Sequence, residues 1–542
     1  MHRLFIRSIS TIAPDVAPVI GLEVHAQLNI KSKLFSQGSN SKSSSPNSQL
    51  DLFDICLPGT LPKFNKHAVE AAILTGLALG CTIQNEIHFD RKNYFYTDMP
   101  AGYQITQFNK PIAKDGHIEF ITKDYISSRS RPYAFDIIKH LYLEDDHEFV
   151  PYIKRSKIKQ LQLEQDSAKT LYQVDGQEVV NNLVDYNRSG VGLIEIVFEP
   201  DLTTHHEASS LIKELITILK AINTCDCELQ DGSLRVDANI SIASIAGEKI
   251  AEEVAGRVEL KNLNSIKSLN HGIVHEINRQ ASIIKLGGKI TRESRTYDTK
   301  AARTVVLREK ETTVDYRYVP EPNLPPLLID SNLVNKCREH LPAEMPCNSR
   351  DILSEQYNLD LERIASVLEE PGLKEYLVKI MDTKTNFDAN DVADFLIYSI
   401  SNLKTLADVP FKVDLRDEQG EFMHRLSPIK MQELFEMLSA DEISYATAYE
   451  VMKCIYTSGS AFWPRQIVKN FNWFQISDEK QIDELCAQLI EGMPSVSKQY
   501  KKRRQRRQLR MMLAKLCELH NNRISIRKAL KCLENRLAQE KI

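Results

Sequence analysis

No CxxC pair occurs in the 542 residues, although there are ten cysteines; the nearest two are Cys225 and Cys227. That spacing fits neither a disulfide framework nor a zinc finger, and scattered thiols suit a reducing compartment. No apolar run approaches the ~18 residues of a membrane span. EAAILTGLALG, from Glu70, is too short and reads as a buried helix. GxxxxGK(S/T) and GxGxxG are both missing, so any nucleotide is held by a fold other than the Walker or Rossmann types. GxSxG, HExxH and a Ser-Ser-Lys amidase motif are missing too, which removes serine-elbow hydrolases, zinc proteases and a built-in glutaminase. There is no internal repeat, and 42% apolar with 26% charged residues excludes a wholly disordered or fibrous chain.

Charge is present, and it is unevenly spread. The formal net charge is −4, but from Lys498 onward 15 Lys and Arg face 3 Asp and Glu, so this end carries +12 and the preceding residues −16. KKRRQRRQLR, from Lys501, holds seven cations in ten residues. Such a run is a solvated helix face, a nuclear localisation signal or a nucleic-acid grip. At the other end, MHRLFIRSISTIAPD sets Arg3 and Arg7 among apolar and hydroxyl residues with no acid before Asp15, the composition of a mitochondrial presequence over 1–15.

From about 17 to 330 the chain alternates with period two. In VIGLEVHAQL, Ile20, Leu22, Val24 and Ala26 fall on one face and Gly21, Glu23, His25 and Gln27 on the other. SLRVDANISI, GRVELKNLNS and LIEIVFEP repeat the pattern, and helical periods such as EASSLIKELITILKAI separate them without a regular βαβ order. The fold class is therefore α+β, with a mixed or antiparallel sheet. PEPNLPPL, 320–327, has four prolines in eight residues and marks a boundary. Beyond it only helical periods remain. The expected organisation is a first domain over 16–330, a helical linker over 331–400 and a helical tail over 401–542, whose basic segment is 498–531. A further break is expected near 471–478, and SQGSNSKSSSPNSQ, from Ser36, reads as a surface loop.

Several strands with one apolar and one acidic face, in one domain, point to a site. His25, Glu195, Glu199, Asp237 and Glu259 recur on such faces, and LYLEDD adds Glu144, Asp145 and Asp146. Carboxylates with one imidazole form an oxygen-rich Mg²⁺ site, and Mg²⁺ suggests a phosphate substrate. Cations stand near them in sequence: Arg91, Lys92, Arg188, Arg235 and Lys261. Phosphoryl transfer needs both to hold spreading negative charge, while surface pairing of each with a neighbouring acid is the plainer alternative. Of Tyr94, Phe95 and Tyr96, Phe95 above all reads as core packing.

VIGLEVHAQLNIKSKLFS, LPGTLPKFNKHAV, FDRKNYFYTDMPAGYQITQ, LVDYNRSGVGLIEIVFEPDL, DGSLRVDANIS, RVELKNLNSIKSLNHGIVHEINRQ and DYRYVPEPNLPPL run in order from 19 to 327. With them the chain resembles the B-subunit family of the aspartyl/glutamyl-tRNA amidotransferases, in its mitochondrial form. The resemblance implies a catalytic cradle similar to the glutamine synthetase catalytic fold, with ATP and Mg²⁺ as cofactors. It implies phosphorylation of the side chain of glutamate mischarged on tRNA(Gln), then amidation by ammonia from an A-type amidase subunit. It also implies a small third subunit, of C type or fungal F type, and a place in the mitochondrial matrix. The family's metal ligands fall on His25, Asp145 and Glu195, and its second functional acid on Glu23. Lys92 and Tyr94 match its phosphate- and substrate-side residues. Arg188, Arg235, Asp237 and Lys261 lie in matching motifs, with Lys92, Arg235 and Lys261 toward the nucleotide. Lys501, Lys502, Arg503, Arg504, Arg506 and Arg507 match the tRNA-gripping tail. Three departures stand out: YLEDDHEF where the family has HLEEDAGK, Ala101 where it often has Lys, and a lone Cys56 where many relatives have paired cysteines. A tRNA-binding adaptor without chemistry and a stand-alone amide ligase are the competing readings; the missing glutaminase signature speaks against the second.

Overall fold

The computed structural model describes residues 16–41, 45–124, 150–175, 178–246, 249–253, 256–309, 316–382, 387–406, 426–458, 462–503 and 506–539. The expected presequence and the Glu144–Asp146 acids lie outside them. The chain divides into two compact units, one ending at Asn348 and the other running from Ser349 to the C-terminus.

The first unit is built on strands β1 (Val16–Gln27), β2 (Asp90–Asn93), β3 (Tyr103–Thr106), β4 (Ala113–Asp124), β5 (Val150–Gln165), β6 (Gly192–Phe198), β7 (Leu234–Ala246), β8 (Val258–Lys261), β9 (Glu293–Asp298) and β10 (Arg303–Glu309). The main sheet runs β10-β9-β8-β7-β1-β6-β5-β4, closed at its far edge by the short strand Thr82–Ile83. β8 and β9 are parallel, and the other neighbours along this order are antiparallel. The class is α+β with a mixed sheet, as the alternation predicts.

Alternation sorts the two faces. Ile20, Leu22, Val24 and Ala26 are at most 1% exposed and join one core with Leu161, Leu163, Ile194, Ile196, Val236 and Ala238. Helices α1 (Lys66–Ala78), α2 (His205–Ala221) and α3 (Ile266–Lys285) supply the facing layer. Each starts at a side-chain cap. Asn65 accepts from the His67 amide and Ser265 from Ser268, and Thr204 with Glu207 forms a capping box. α1 is the EAAILTGLALG helix, and its many apolar residues bury Ala68, Val69, Ala72 and Ile73. The opposite face of β5, β6, β1 and β7 keeps the polar residues.

The proline-rich segment belongs to this unit. Val319–Pro320 pairs with Asp90–Arg91 of β2, and Leu327–Leu328 with Glu86–Ile87. Edge pairing tolerates proline because the amides that matter belong to other residues: Glu321 donates to Phe89 and Ile329 to Asn85. α4 (Ser331–Glu339) also joins the first core through Cys337. The first unit therefore ends at Asn348 in sequence, past the 330 expected from proline content.

Among its described residues the second unit is helical, from Pro346–Glu355 at its start to Ile526–Gln539 at its end. Tyr376 is fully buried and donates to the Leu426 carbonyl at 2.7 Å. Helices Glu479–Gly492, Arg506–Leu519 and Ile526–Gln539 share a core that includes Cys486, Met512, Leu516 and Leu533. The stretch between Phe471 and Asp478 is not helical, and Ile476 bridges to Ile524 there.

Candidate active site and family

Strand register assembles the site. His25 on β1 faces Glu195 on β6 and Arg235 on β7, and Glu195 in turn faces Gln162 on β5. One row across four strands therefore reads Gln162, Glu195, His25, Arg235. The next row sets Glu23 beside Asp237. Gln162 donates to the Glu195 carboxylate, and Asn239 donates to Glu23 at 3.0 Å.

Two residues beyond Gln162, Glu164 points to the same face. His25 Nε2 lies 3.9 Å from Glu164 Oε1 and 3.8 Å from Glu195 Oε1. Ligand atoms of His25, Glu164 and Glu195 all lie within 4.8 Å of one another. Glu164 Oε1 accepts from Gln104 of β3 at 2.6 Å, whereas its buried Oε2 has no hydrogen-bond partner among the described residues. A buried carboxylate oxygen left bare costs about 1–3 kcal/mol, and a bound cation removes that cost. Two carboxylates and one imidazole are the hard, oxygen-rich donors Mg²⁺ or Mn²⁺ takes. The residues fit such an ion.

Electrostatics agree with this. Burial, with Glu164 and Glu23 nearby, pushes the Glu195 carboxyl up to about 7, against the opposing pull of His25 and Lys92. Lys92 of β2 is half-buried, and desolvation alone would lower its pKa; Glu164 and Glu195 overcome this and hold the ammonium charged. Its Nζ lies 5.3 Å over the Tyr316 ring. Burial also raises Tyr94 and pushes Tyr318 up to about 12, so both hydroxyls keep their protons. Tyr94 reaches Gln104 at 3.4 Å.

A second cationic group lies on the β7 side. Arg235 Nη2 stands 2.7 Å and Arg188 Nε 3.3 Å from Asp166 Oδ2. Arg188 also donates to the carbonyls of Ser167 and Ala168, each at 3.0 Å. It sits on a turn whose Gly190 adopts φ +79° with Asp54 packed close against it. Lys261 of β8 lies 3.1 Å from Asp237 and 3.0 Å from Glu259. Burial opposes its charge, and those two carboxylates raise its pKa nonetheless.

Residues 18–335 match the GatB/GatE catalytic domain and residues 409–537 the GatB domain. The chain belongs to the GatB family. It is 36% identical over 494 residues to the B subunit of the mitochondrial glutamyl-tRNA(Gln) amidotransferase of Danio rerio, covering 88% of this chain and 82% of that one. The protein of the same name from Homo sapiens is 36% identical over 503 residues, 90% and 83% of the two chains. The B subunit of the aspartyl/glutamyl-tRNA(Asn/Gln) amidotransferase of Rickettsia prowazekii is 34% identical over 483 residues, 89% and 90%. The animal GatB relatives are named mitochondrial, which supports a mitochondrial location for this chain.

Within the GatB frame, the sequence-derived residues Glu23, His25, Glu195, Arg235, Asp237 and Lys261 fall on the polar face of the sheet, Lys92 and Tyr94 on the hairpin beside it, and Arg188 on the turn before β6. Asp145 lies outside the described residues. Among the described residues, Glu164 is the third donor beside His25 and Glu195. Its segment QLEQDSAK, 162–169, meets the family pattern HLEEDAGK at more positions than YLEDDHEF does. Leu161 and Leu163 alternate with Gln160, Gln162 and Glu164 there, the same two-faced signal that marks β1 and β6. Gln165 takes the position of the pattern's second Glu, and its side chain accepts from the Ile105 amide at 3.1 Å.

Other expectations change. Phe95 is 91% exposed rather than in the core. It lies in the β2–β3 hairpin, where Tyr94 and Tyr96 pack together at 5.5 Å and Phe95 covers Gly102. Glu199 falls beyond the end of β6, outside the site rows, and Glu259 is engaged by Lys261 and Ser294. Arg91 forms a two-bond pair with Glu321, which ties β2 to the proline-rich segment. In the basic tail, Lys501, Lys502 and Arg503 belong to helix Pro494–Arg503 and Arg506 and Arg507 to helix Arg506–Leu519, while Arg504 lies outside the described residues.

Proposed function

We propose that the chain is the B-type component of a glutamyl-tRNA(Gln) amidotransferase of the mitochondrial matrix. It acts as an ATP-dependent carbon–nitrogen ligase that converts mischarged Glu-tRNA(Gln) to Gln-tRNA(Gln). An A-type amidase subunit supplies ammonia, and a small third subunit completes the complex. The observation that carries this reading is the donor cluster of His25, Glu164 and Glu195, set on a sheet face that also holds Arg235 and Lys261, with Lys92 of the neighbouring β2–β3 hairpin coupled to both carboxylates.

The chemistry asks for such a face. A carboxylate cannot expel oxide, so it must first acquire a leaving group. When bound, Mg²⁺ and ATP supply the phosphoryl group and the charge neutralisation that make the glutamyl carboxylate an acyl donor. His25, Glu164 and Glu195 would hold the metal. Lys92, kept charged by the two carboxylates, meets negative charge on the β2 side. Arg235 and Arg188, braced by Asp166, meet it on the β7 side, and Lys261 does so from β8. Tyr94 and Tyr318, both protonated, donate hydrogen bonds toward oxygen. Partial burial of these groups strengthens each interaction. Ammonia has no source within the chain's own motifs, which fits a separate amidase subunit.

No helix among the described residues is long and apolar enough to cross a membrane. The intact donor cluster argues against an adaptor without chemistry. The test uses the assembled complex with mischarged Glu-tRNA(Gln), glutamine, ATP and Mg²⁺. His25→Ala and Glu195→Ala should abolish amide formation and leave glutamine hydrolysis largely intact; normal amidation by both variants would refute the assignment.

A further inference from the structure

A cavity of about 620 Å³ lies within the helical unit. Its walls include Tyr398, Tyr445, Tyr449, Phe471, Trp473 and Arg523. They come from helix Ala389–Leu406, helix Tyr445–Ser458, the end of helix Pro464–Phe471 with the stretch after it, and the turn before helix Ile526–Gln539. Tight hydrogen bonds join these pieces: Ser444 Oγ donates to the Asn522 carbonyl at 2.6 Å and the Gln475 amide to the Glu442 carbonyl at 2.8 Å.

The lining is unusual for a surface. Phe471 and Trp473 stack with centroids 4.9 Å apart and planes at 23°, yet Phe471 is 58% exposed. Tyr398 and Tyr449 meet edge to face at 6.0 Å. Arg523 Nη1 donates to the Asn472 carbonyl at 2.7 Å, which fixes its guanidinium in the wall. Flat π faces, one guanidinium and a volume in the range of small-ligand pockets suit one planar, polarisable ring. Helix Arg506–Leu519, the second half of the basic segment, runs directly into the His520–Arg523 turn that forms one wall. Backbone-neutralising charge and a ring-binding wall are thus consecutive in the chain.

We propose that this cavity takes a single unstacked nucleobase of the bound tRNA. The inference rests on the tRNA substrate proposed above. Aromatic stacking holds a base with little regard to sequence, and the Arg523 guanidinium in the wall adds a cation–π contribution. Phosphate contacts along the basic segment give salt-dependent affinity. Stacking contributes a component that salt changes little.

The chain has two tryptophans, Trp463 and Trp473, so Trp463→Phe makes Trp473 the sole fluorescent reporter. In the full-length chain, tRNA should quench this reporter, whereas free nucleoside monophosphates at the same base concentration should not. Trp473→Ala and Tyr449→Ala should each weaken tRNA binding about tenfold with an unchanged salt slope. Trp473→Phe should keep near-normal affinity, which separates stacking from misfolding. Unchanged affinity in both alanine variants would overturn the proposal, as would a loss accompanied by a flatter salt slope. Shielding of Trp473 by the amidase partner without tRNA would also overturn it and assign the surface to protein. If the unsubstituted chain fails to bind tRNA at all, the proposed substrate is at fault rather than this pocket.

Discussion

His25 stands directly opposite Glu195 across the β1–β6 pair, and the two side chains approach to 3.8 Å. Because the strands are antiparallel neighbours, their register is what brings imidazole and carboxylate together. A one-residue slip would turn either strand's polar residues into the helical layer. The cluster is thus as rigid as the sheet, and Glu164 joins it from β5 through the same face.

Glu164→Gln keeps the size of the side chain and its contact with Gln104 but removes one anionic donor. Divalent-cation affinity, titrated with Mn²⁺, should fall at least about tenfold. Thermal stability without metal should stay the same or rise, since the bare Oε2 is no longer a buried charge.

Protons and metal compete for Glu195. Its carboxyl is pushed up to about 7, so the metal-free site binds a proton below that pH and is ionised above it. Cation affinity should therefore weaken as pH falls from 8 to 6, by up to about tenfold per unit below 7. Glu195→Gln should remove this dependence along with most of the affinity. A flat profile in the unsubstituted chain would contradict the shifted carboxyl.

Arg235→Ala leaves Asp166 without its nearer guanidinium and removes a cation from the row beside His25. Amidation kcat should drop about 10²-fold, as for loss of a charge-stabilising donor. Glutamine hydrolysis by the amidase partner should be unchanged.

Neutralising Lys501, Lys502, Arg503, Arg504, Arg506 and Arg507 together should raise the KM for tRNA and flatten the salt dependence of binding. Binding measured across salt concentrations checks both. Unchanged tRNA affinity would refute a role for the basic segment.

Arg91→Met strands the Glu321 carboxylate, whose side chain is fully buried. The single change should cost about 3 kcal/mol of stability, while Arg91→Met with Glu321→Met should recover much of it. Denaturant melts of the three chains decide the matter.

The face of β1 was legible because strict alternation separates Leu22 and Val24 from Glu23 and His25. The same holds for Glu195 among Ile194 and Ile196. Glu164 carried that signal too, but its neighbours on the polar face are glutamines, so the strand lacked the run of charge that draws the eye. A second acidic cluster, around Asp145, competed for the same family pattern. The hairpin was harder: Phe95 sits between two tyrosines that pack on each other, and no period tells which of three aromatics a turn leaves outside. The proline-rich segment misled for a clear reason. Proline bars a central strand, but 319–320 and 327–328 pair at edges, and the Arg91–Glu321 bond that fixes them joins residues far apart in sequence. The helical cavity was illegible, since its walls come from four separate stretches.

The central claim is that the glutamyl carboxylate becomes an acyl phosphate before ammonia attacks. It is tested most directly with Glu-tRNA(Gln) carrying ¹⁸O in the side-chain carboxylate, turned over by the complex with ATP, Mg²⁺ and glutamine. Mass analysis of the released phosphate should find one ¹⁸O transferred for each amide formed, with no transfer in His25→Ala. Amide formation with no ¹⁸O in the phosphate would contradict the account.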